Sequence, residues 1–379
     1  MKIEAAVTTG AGQPFSIRPL ELDPPREDEI LVRLVGVGIC HTDLFFRETN
    51  VVPFPAVLGH EGAGFVEKVG SAVSKVSPGD RVALTFRSCG RCARCTGGNP
   101  AYCDTMAQLN YVGRRPDGSC AIRSDDGPVG SNFFGQSSFA TYALAYESNV
   151  VKVPDDVDLR LMGPLGCGVQ TGAGAVMRSL DCKAGSSILI VGGGPVGLSA
   201  VMAARIVGCR RIILVEPVAA RRELGLSLGA TDVIAPDPST KLGRAIREIE
   251  DGGVDYALDT TGHPDVQRSV LAALANRAVY GIVGVPPLGT SPPGDLIDVI
   301  NRGLTIRGIL EGDSDPDTFI PFLIDLYKRG QLPFDRLIRI FPFAQINQAI
   351  AAQSGGECVK VVLSFEELPA YRESGSPAN

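Results

Sequence analysis

Up to about residue 165, apolar and polar positions alternate in short runs that are typical of β-strands. Ile30-Leu-Val-Arg-Leu-Val and Gly64-Phe-Val-Glu-Lys-Val are examples, and turn signals such as Ser77-Pro-Gly-Asp80 separate such runs. Residues 86–110 and 110–135 show little periodicity and are expected to be long loops. The pattern predicts a mostly β region at the start of the chain.

From about residue 169 the pattern changes to buried strands that alternate with amphipathic helices. This alternation predicts a parallel, doubly wound sheet and an α/β fold class. After about residue 310 the mixed pattern returns. The predicted elements are strands at 186–191, 211–216, 256–259, 278–283 and 359–365, and helices at 196–207 and 317–329.

Composition narrows the class of protein. The 379 residues leave room for two domains, and 44% are hydrophobic, as in a globular chain. A net charge of −6 without a basic block gives no support for nucleic-acid binding. The N-terminal residues lack the apolar core of a signal peptide, and no run reaches membrane-spanning length. The ten cysteines are therefore expected to be reduced thiols in the cytoplasm.

Four of these cysteines follow the spacing C-x2-C-x2-C-x7-C. Thiols at this spacing can surround one zinc ion tetrahedrally, which predicts a closed, structural metal site. Disulfides and an iron–sulfur cluster are the alternatives. The four residues are Cys89, Cys92, Cys95 and Cys103.

A G-x-G-x-x-G sequence follows the strand that ends at residue 191. Gly192 permits a tight turn, Gly194 lets a pyrophosphate approach the backbone, and Gly197 lets helix and strand pack closely. Glu216 ends the next predicted strand, where an acid binds ribose hydroxyls, although a solvated strand-end carboxylate is the alternative. This acid favours NAD over NADP, while Arg221 and its neighbour Arg222 weaken the preference.

Three further residues could form a catalytic zinc site with an open fourth position. They are Cys40, His60 and Cys167, each in a glycine-containing segment. Taken one at a time, each could equally be an ordinary core cysteine or a structural histidine.

The segment Gly59-His60-Glu61-x-x-Gly64-x5-Gly70 resembles the signature of zinc-dependent medium-chain alcohol dehydrogenases. The four-cysteine segment and the glycine-rich sequence occur in that family's order. The resemblance implies a GroES-like, mostly β catalytic domain at 1–168 and 311–379, and a Rossmann domain at 169–310. It also implies two zinc ions per chain, NAD as cofactor, and a homodimer or homotetramer.

The resemblance further implies roles for individual residues around the reacting groups. Thr42 would accept the substrate's proton, Asp43 would orient His60, and Glu61 would be an alternative zinc ligand. Many relatives place a proton-relay histidine where this chain has Phe45, which leaves the relay route open. The implied cofactor contacts are His41 and Lys360 at the pyrophosphate, Thr171 and Val285 at the nicotinamide, Arg221 beside Glu216 at the ribose, and Val196 within the glycine-rich turn.

By family position, Phe86, Phe133 and Phe134 would line the substrate pocket, although ordinary core packing is the alternative. The sequences Phe133-Phe-Gly-Gln-Ser-Ser-Phe-Ala-Thr-Tyr and Glu311-Gly-Asp-Ser resemble the aryl-alcohol (benzyl-alcohol) branch, which oxidises primary benzylic and allylic alcohols.

Two other functions stay open at this point. A glutathione-dependent formaldehyde dehydrogenase would need cations at the pocket mouth, for which Arg87, Arg114 and Arg115 are available. A cofactor-binding protein without turnover is the other alternative. The remaining thiols are expected to be buried small apolar residues; they are Cys120, Cys182, Cys209 and Cys358.

Overall fold

The computed structural model of the chain describes residues 1–237 and 241–366. The chain divides into two compact units. The first contains Met1–Cys167, Asp315–Asp325 and the chain from Asp335 onward, and the second contains Gly168–Ser314 and Leu326–Phe334. The end of the predicted catalytic domain, residues 367–379, lies outside the described residues.

The described residues form eighteen strands, numbered in chain order. They are β1 (Lys2–Thr8), β2 (Ser16–Leu22), β3 (Glu29–Ile39), β4 (Ala56–Val57), β5 (Glu61–Val69), β6 (Arg81–Leu84), β7 (Ile122–Ser124), β8 (Gly127–Val129), β9 (Tyr142–Tyr146), β10 (Val150–Lys152), β11 (Ser187–Val191), β12 (Arg211–Val215), β13 (Asp232–Ile234), β14 (Val254–Asp259), β15 (Leu274–Ile282), β16 (Thr305–Gly308), β17 (Ile338–Pro342) and β18 (Lys360–Ser364).

The α-helices of the described residues are numbered in the same way. They are α1 (His41–Glu48), α2 (Ala93–Thr96), α3 (Met106–Asn110), α4 (Gly168–Gly174), α5 (Pro195–Val207), α6 (Ala219–Leu228), α7 (Leu242–Ile249), α8 (Pro264–Leu271), α9 (Leu296–Arg302), α10 (Pro316–Lys328) and α11 (Ile346–Ser354). None of the helices in this part of the chain is long and apolar enough to cross a bilayer.

The first unit is built on two mostly antiparallel sheets, with strand orders β4-β1-β2-β7-β8 and β10-β6-β5-β3-β18-β17, where β9 also pairs with β3. The long strand β3 is buried along most of its length. Its pairing with β5 brings Gly38 opposite Glu61. This register places the residues just after β3 beside those just before β5, which are Cys40 and His60.

The second unit contains one six-stranded sheet in the order β13-β12-β11-β14-β15-β16. All of its pairings are parallel, so the predicted doubly wound sheet and the α/β class are confirmed. Because Val191 pairs with Val215, the turn after β11 lies beside the residue after β12. That register brings the glycine-rich turn next to Glu216.

One local prediction was wrong. Residues 86–135 are not simply two long loops, since they contain the short helices α2 and α3 and the hairpin of β7 and β8. The sequence pattern did not predict the hairpin, because each strand has only three residues and the second strand includes Pro128. A period of two cannot be recognised over so few positions.

Candidate metal and cofactor sites

Asp43 joins the two segments that the pairing of β3 and β5 brings together. Cys40 precedes α1, and its backbone N–H donates to Asp43 Oδ2 at 2.9 Å. The other oxygen, Oδ1, accepts from the Gly59 N–H at 3.1 Å and lies 2.7 Å from His60 Nδ1. Asp43 is fully buried. With Nδ1 held by this carboxylate, Nε2 of His60 is directed toward the thiols.

Four potential ligand side chains meet at this point, and we call them the Cys-His metal group: Cys40, His60, Glu61 and Cys167. Each offers one ligand atom, and these atoms all lie within 4.8 Å of one another. The Sγ atoms of the two cysteines are 3.9 Å apart, and His60 Nε2 is 3.3 Å from Cys167 Sγ. Two thiols, one imidazole and one carboxylate form a donor set suited to catalytic zinc.

The charges within this group favour a thiolate. The hydrogen bond with the Cys167 thiol lowers the pKa of Cys40 well below its usual value, against the opposing effect of burial. Burial alone would lower the pKa of His60, but the Asp43 carboxylate raises it well above the usual range. A thiolate is the form in which cysteine binds a metal.

Glu61 has a buried cationic partner, Lys360. Lys360 Nζ donates to Glu61 Oε1 at 2.6 Å and to the Ile39 carbonyl at 2.9 Å, and both side chains are buried. The carboxylate fits because Gly38 has no side chain, since a Cβ there would lie 1.9 Å from Glu61 Oε2. Lys360, expected at a pyrophosphate, is thus paired with Glu61 in this structure.

Gln136, which no sequence motif indicated, is a buried amide that fixes the backbone around His60. Its Nε2 donates to the carbonyls of His60 at 2.9 Å and Thr85 at 3.0 Å. Its Oε1 accepts from the Gly62 N–H at 3.1 Å and the Ser138 hydroxyl at 2.5 Å. Every hydrogen-bonding position of this amide is used, so Gln136 holds β5 and β6 together beside the metal group.

Aromatic rings cover one side of His60. Phe134 stacks on the imidazole with centroids 4.4 Å apart, and Phe133 packs edge-on at 5.7 Å. Phe46 and Tyr111, which sequence reasoning did not identify, pack on these two rings. Phe86 is buried beyond β6 but is not part of this ring cluster in the described chain. Phe134 has a φ of 51°, so the turn that presents its ring is strained.

The four-cysteine lobe, residues 89–103, forms the second thiol cluster. Cys92 Sγ and Cys89 Sγ lie 3.5 and 3.9 Å from Cys95 Sγ. All four ligand atoms fall within 4.8 Å of one another, and all four thiols are free. Backbone N–H donors, that of Arg91 first, lower the pKa of Cys89 to about 6. The lobe therefore supports a thiolate with its own backbone, as a structural zinc site requires.

The glycine-rich turn in the second unit has the geometry that its sequence predicts. Gly192 has a φ of 100°, and a Cβ on Gly197 would lie 1.8 Å from the Gly192 carbonyl oxygen. A Cβ on Gly194 would meet nothing within 4 Å, which leaves space for a ligand at the N-terminus of α5. Val196 is half-buried in the first turn of that helix.

Glu216 is buried beside this turn. Its carboxylate accepts from the Gly193 N–H at 2.6 Å and the Val218 N–H at 2.8 Å. Arg222 donates to the carbonyls of Glu216 and Pro217, both at 2.7 Å, and so fixes the backbone after β12. Arg221 is half-buried on α6.

The two predicted nicotinamide contacts differ in their surroundings. Thr171 is buried on α4, and its Oγ1 lies 3.4 Å from Glu311 Oε2, which also accepts from Gln170 Nε2 at 3.2 Å. Glu311 has a φ of 50°, a second strained position. Val285 is 73% exposed in the loop after β15.

The arginines considered for a glutathione substrate differ in availability. Arg115 is buried in ion pairs with Glu29 and Asp23, at 2.6 and 3.0 Å. Arg87 is buried with its guanidinium over the Tyr146 ring, 3.2 Å from the centroid. Arg114 is exposed. The two buried arginines therefore have structural positions.

Comparison with known proteins identifies both parts of the chain. Residues 26–155 match the family model of the alcohol dehydrogenase GroES-like domain, and residues 195–329 match that of zinc-binding dehydrogenases. A geraniol dehydrogenase from Castellaniella defragrans is 48% identical over 363 residues, which cover 96% of this chain and 97% of the relative.

Solved structures extend the likeness to three dimensions. The benzyl alcohol dehydrogenase of Acinetobacter calcoaceticus has a TM-score of 0.92 at 44% identity, covering 96% of this chain and 99% of that one. An alcohol dehydrogenase zinc-binding domain protein from Burkholderia ambifaria has a TM-score of 0.93 at 51% identity, with the same coverage. The chain therefore belongs to the zinc-containing medium-chain alcohol dehydrogenases, in the branch that includes benzyl alcohol and geraniol dehydrogenases.

Proposed function

We propose that the protein oxidises primary benzylic and allylic alcohols to aldehydes, with NAD as the hydride acceptor. The observation that carries this proposal is the cluster of four aromatic rings beside His60: Phe46, Tyr111, Phe133 and Phe134. A flat, apolar substrate gains most from such a wall through area burial and ring contacts. The names of two relatives, geraniol and benzyl alcohol dehydrogenase, agree with this substrate class.

The donor set of the Cys-His metal group fits one zinc ion, which Cys40, His60 and Cys167 would hold, with Glu61 as the alternative ligand. Zinc bound there supplies the Lewis acidity that lowers the pKa of a bound alcohol. Asp43 keeps His60 in the tautomer that presents Nε2. Thr42, two residues after Cys40 in the first turn of α1, provides the hydroxyl that receives the alcohol proton.

The proton's further path is a separate part of this proposal. Phe45, at the relay position, is 42% exposed and cannot carry a proton. His41 directly precedes Thr42 and is exposed, whereas Asp43, which follows Thr42, is buried. We assign the outward step to His41 and solvent.

For the cofactor we propose NAD, bound at the N-terminus of α5 with its ribose on Glu216. The buried carboxylate would repel a 2′-phosphate, so kcat/KM with NAD should exceed that with NADP by at least about ten-fold, or about 1.4 kcal/mol. Glu216→Ala should narrow this ratio, whereas Glu223→Ala on α6 should leave it unchanged. Equal kcat/KM values for the two cofactors would contradict the proposal.

We further propose that the protein is a homodimer or homotetramer. The edge strand β16 has no neighbour on its outer side in the described sheet, and α9 in the same unit exposes Leu296, Ile297 and Ile300 by 66 to 77%. Several exposed large apolar side chains on one helix are typical of an interface. Light scattering should give a multiple of the chain mass, and Ile297→Asp should reduce it.

A substrate panel read at the NADH absorbance tests the central proposal. Burying roughly 100 Å² of extra apolar surface is worth about 2.5 kcal/mol, or more than fifty-fold. Conjugation of the developing carbonyl adds to this, so kcat/KM for benzyl, cinnamyl or geranyl alcohol should exceed that for ethanol by about two orders of magnitude.

Phe134→Ala should lower this preference more than it lowers ethanol turnover, while Phe322→Ala, at a 46% exposed ring outside the cluster, should not. If ethanol or a glutathione–formaldehyde adduct is the better substrate, the aromatic assignment fails and the family assignment remains.

A further inference from the structure

The segment Glu311-Gly-Asp-Ser, which we call the EGDS turn, follows β16 in the second unit and has a strained backbone. Three consecutive residues have positive φ angles: 50° at Glu311, 67° at Gly312 and 50° at Asp313. Glycine adopts such angles freely, but the two acidic residues do not. All four residues are buried. A strained turn persists only where its surroundings hold it, so its contacts indicate what it does.

The EGDS turn packs directly on the backbone of α4. A Cβ on Gly174 would lie 2.4 Å from the Gly312 carbonyl oxygen, and a Cβ on Gly312 would lie 2.5 Å from the Gln170 carbonyl oxygen. Arg307 Nη2 also forms an ion pair with the Asp313 carboxylate at 2.5 Å. Close backbone packing and this ion pair therefore hold the turn at one position on α4.

The Glu311 side chain accepts two hydrogen bonds from α4. Its Oε2 accepts from Gln170 Nε2 at 3.2 Å and from Thr171 Oγ1 at 3.4 Å. Ser314 Oγ lies 2.6 Å from the Glu311 carbonyl oxygen and 3.1 Å from Gln170 Oε1. Because Ser314 holds one end of the Gln170 amide, the other end is directed at Glu311. An amide N–H and a hydroxyl both need an acceptor, and the carboxylate supplies it.

The hydrogen bond to Glu311 selects one side-chain conformation of Thr171. A threonine within a helix divides between two χ1 rotamers, because its hydroxyl can also bond the carbonyl three or four residues earlier. Thr171 lies in the middle of α4, where that alternative exists. With Oγ1 held by a carboxylate on another segment, the methyl group of Thr171 points in a single direction.

We propose that Glu311 is a positioning residue for the cofactor, because it holds the Thr171 hydroxyl and thereby fixes the methyl group as an apolar contact for the nicotinamide ring. This inference rests on the proposed binding of NAD, in which Thr171 contacts the nicotinamide. A ring packed on a fixed methyl group keeps one orientation, and a misplacement of about 1 Å can cost about 100-fold in rate. Backbone strain at such a position is typical of sites that hold a ligand.

The first test reads the Thr171 side chain in the zinc-loaded protein without cofactor. Three-bond NMR couplings from its methyl carbon to the backbone report χ1, and Thr171→Val identifies the resonance. Glu311→Asn tolerates a positive φ but is one methylene too short to reach Thr171, so the couplings should become averages over two rotamers. Glu311→Gln keeps an acceptor oxygen at full length and should preserve the single rotamer. Unaveraged couplings in Glu311→Asn would overturn the proposal.

The second test measures the cofactor and the hydride step. The single-turnover rate with saturating NAD and benzyl alcohol should fall by about ten-fold or more in Glu311→Asn. The Kd of NADH should change by no more than about three-fold, since only one methyl contact is affected. The fluorescence of bound NADH, which reports the surroundings of the nicotinamide, should also change. Glu311→Gln should resemble the wild type in all three measurements.

Asp313→Asn is the matched control, since it changes an acid of the same turn with the same φ of 50°. Its carboxylate pairs with Arg307, so this variant should lower Tm and leave the hydride rate and the NADH fluorescence unchanged. An equal loss of hydride rate in Asp313→Asn and Glu311→Asn would show a general effect of the turn and overturn the proposal.

A double-mutant cycle tests whether Glu311 acts through Thr171. Adding Glu311→Asn to Thr171→Val should lower the hydride rate little further, because both changes remove the same hydrogen bond. Fully additive losses would overturn the proposal. A wild-type protein that binds no NADH would contradict the proposed function. If the wild type binds NADH and Glu311→Asn changes neither its fluorescence nor the hydride rate, the role of Glu311 alone is wrong.

Discussion

The ligands of the Cys-His metal group come from three separated segments of the chain, whereas those of the four-cysteine lobe come from one short stretch. The first set depends on the register of β3 with β5 and on the turn before Cys167, and His60 and Glu61 are fully buried within it. In the lobe, only Cys103 is buried, and local backbone N–H groups support the thiolates. Local turns would organise a metal ion in the lobe, whereas the tertiary fold would organise one in the Cys-His metal group.

In each region a buried amide side chain nevertheless fixes backbone close to the ligands. Gln136 fixes the backbone of His60. Asn110, at the end of α3, accepts from the Arg87 N–H and donates to the Arg87 and Met106 carbonyls, all at 2.8 Å. Substitutions in the Cys-His metal group should therefore mainly affect chemistry, and substitutions in the four-cysteine lobe should mainly affect stability.

The largest expected effect is that of His60→Ala on turnover. Without this ligand the Cys-His metal group should lose its ion, and kcat should fall by about three orders of magnitude or more, because the ion's electrostatic stabilisation is worth several kcal/mol. Metal analysis should find one zinc per chain, retained by the lobe. His263→Ala, at an exposed histidine, is the control and should keep both ions. If His60→Ala retained two zinc ions, the proposed difference between the Cys-His metal group and the lobe would be wrong.

The next effect is on stability and comes from Cys92→Ser. Losing a structural zinc ligand should cost on the order of 3 kcal/mol, which lowers Tm by roughly 6–12 °C. The folded fraction should keep its turnover and the zinc of the Cys-His metal group, while Cys120→Ser should change neither quantity. Calorimetry and kcat per folded molecule measure both. A fall in kcat as large as that of His60→Ala would show that the two regions are not separable.

The sequence could predict those features of the two regions that depend on residues close together along the chain. Spacing alone identifies Cys89 to Cys103, and the glycines of the cofactor turn are required by a local φ and a local close approach. Periodicity was sufficient for the doubly wound sheet, since four of its six strands have five or more residues and two of these, β11 and β12, are buried almost throughout. It failed for the hairpin of β7 and β8, whose strands are too short to show a period.

Contacts between residues distant in sequence were beyond such reasoning. Gln136 binds the His60 carbonyl across 76 positions, and Lys360 reaches Glu61 across 299. Neither residue type indicates such a role by itself, because buried amides and lysines take their partners from strand registers that only the folded chain defines. Phe46 and Tyr111 were missed for the same reason, since they join the aromatic wall from α1 and from the residue after α3.

A smaller effect on the Cys-His metal group is expected from Gln136→Leu. The carbonyls of His60 and Thr85 would lose their donor, and the imidazole would be held less firmly. Loss of such supporting contacts typically costs about 10–100-fold in metal affinity. Competition with a chelator measures that affinity, and the visible spectrum of the cobalt-substituted protein reports the ligand geometry directly. Ser138→Ala, which removes one hydrogen bond to Gln136, should weaken metal binding less. Unchanged affinity and spectrum would reduce Gln136 to a purely structural residue.

The smallest expected effect is that of Asn110→Ala, the corresponding change at the lobe. The buried N–H and C=O of Arg87 would lose their partner, and an unsatisfied buried group costs about 1–3 kcal/mol. The lobe should then separate more easily from the end of β6, and Tm should fall by a few degrees. Both zinc ions and kcat should stay as in the wild type, because Asn110 touches no ligand of the Cys-His metal group. Asn99→Ala is the control and should leave Tm unchanged, because the side chain is exposed and donates to the nearby Gly97 carbonyl. If Asn110→Ala lowered kcat as strongly as Gln136→Leu, the lobe would have to support catalysis as well as stability.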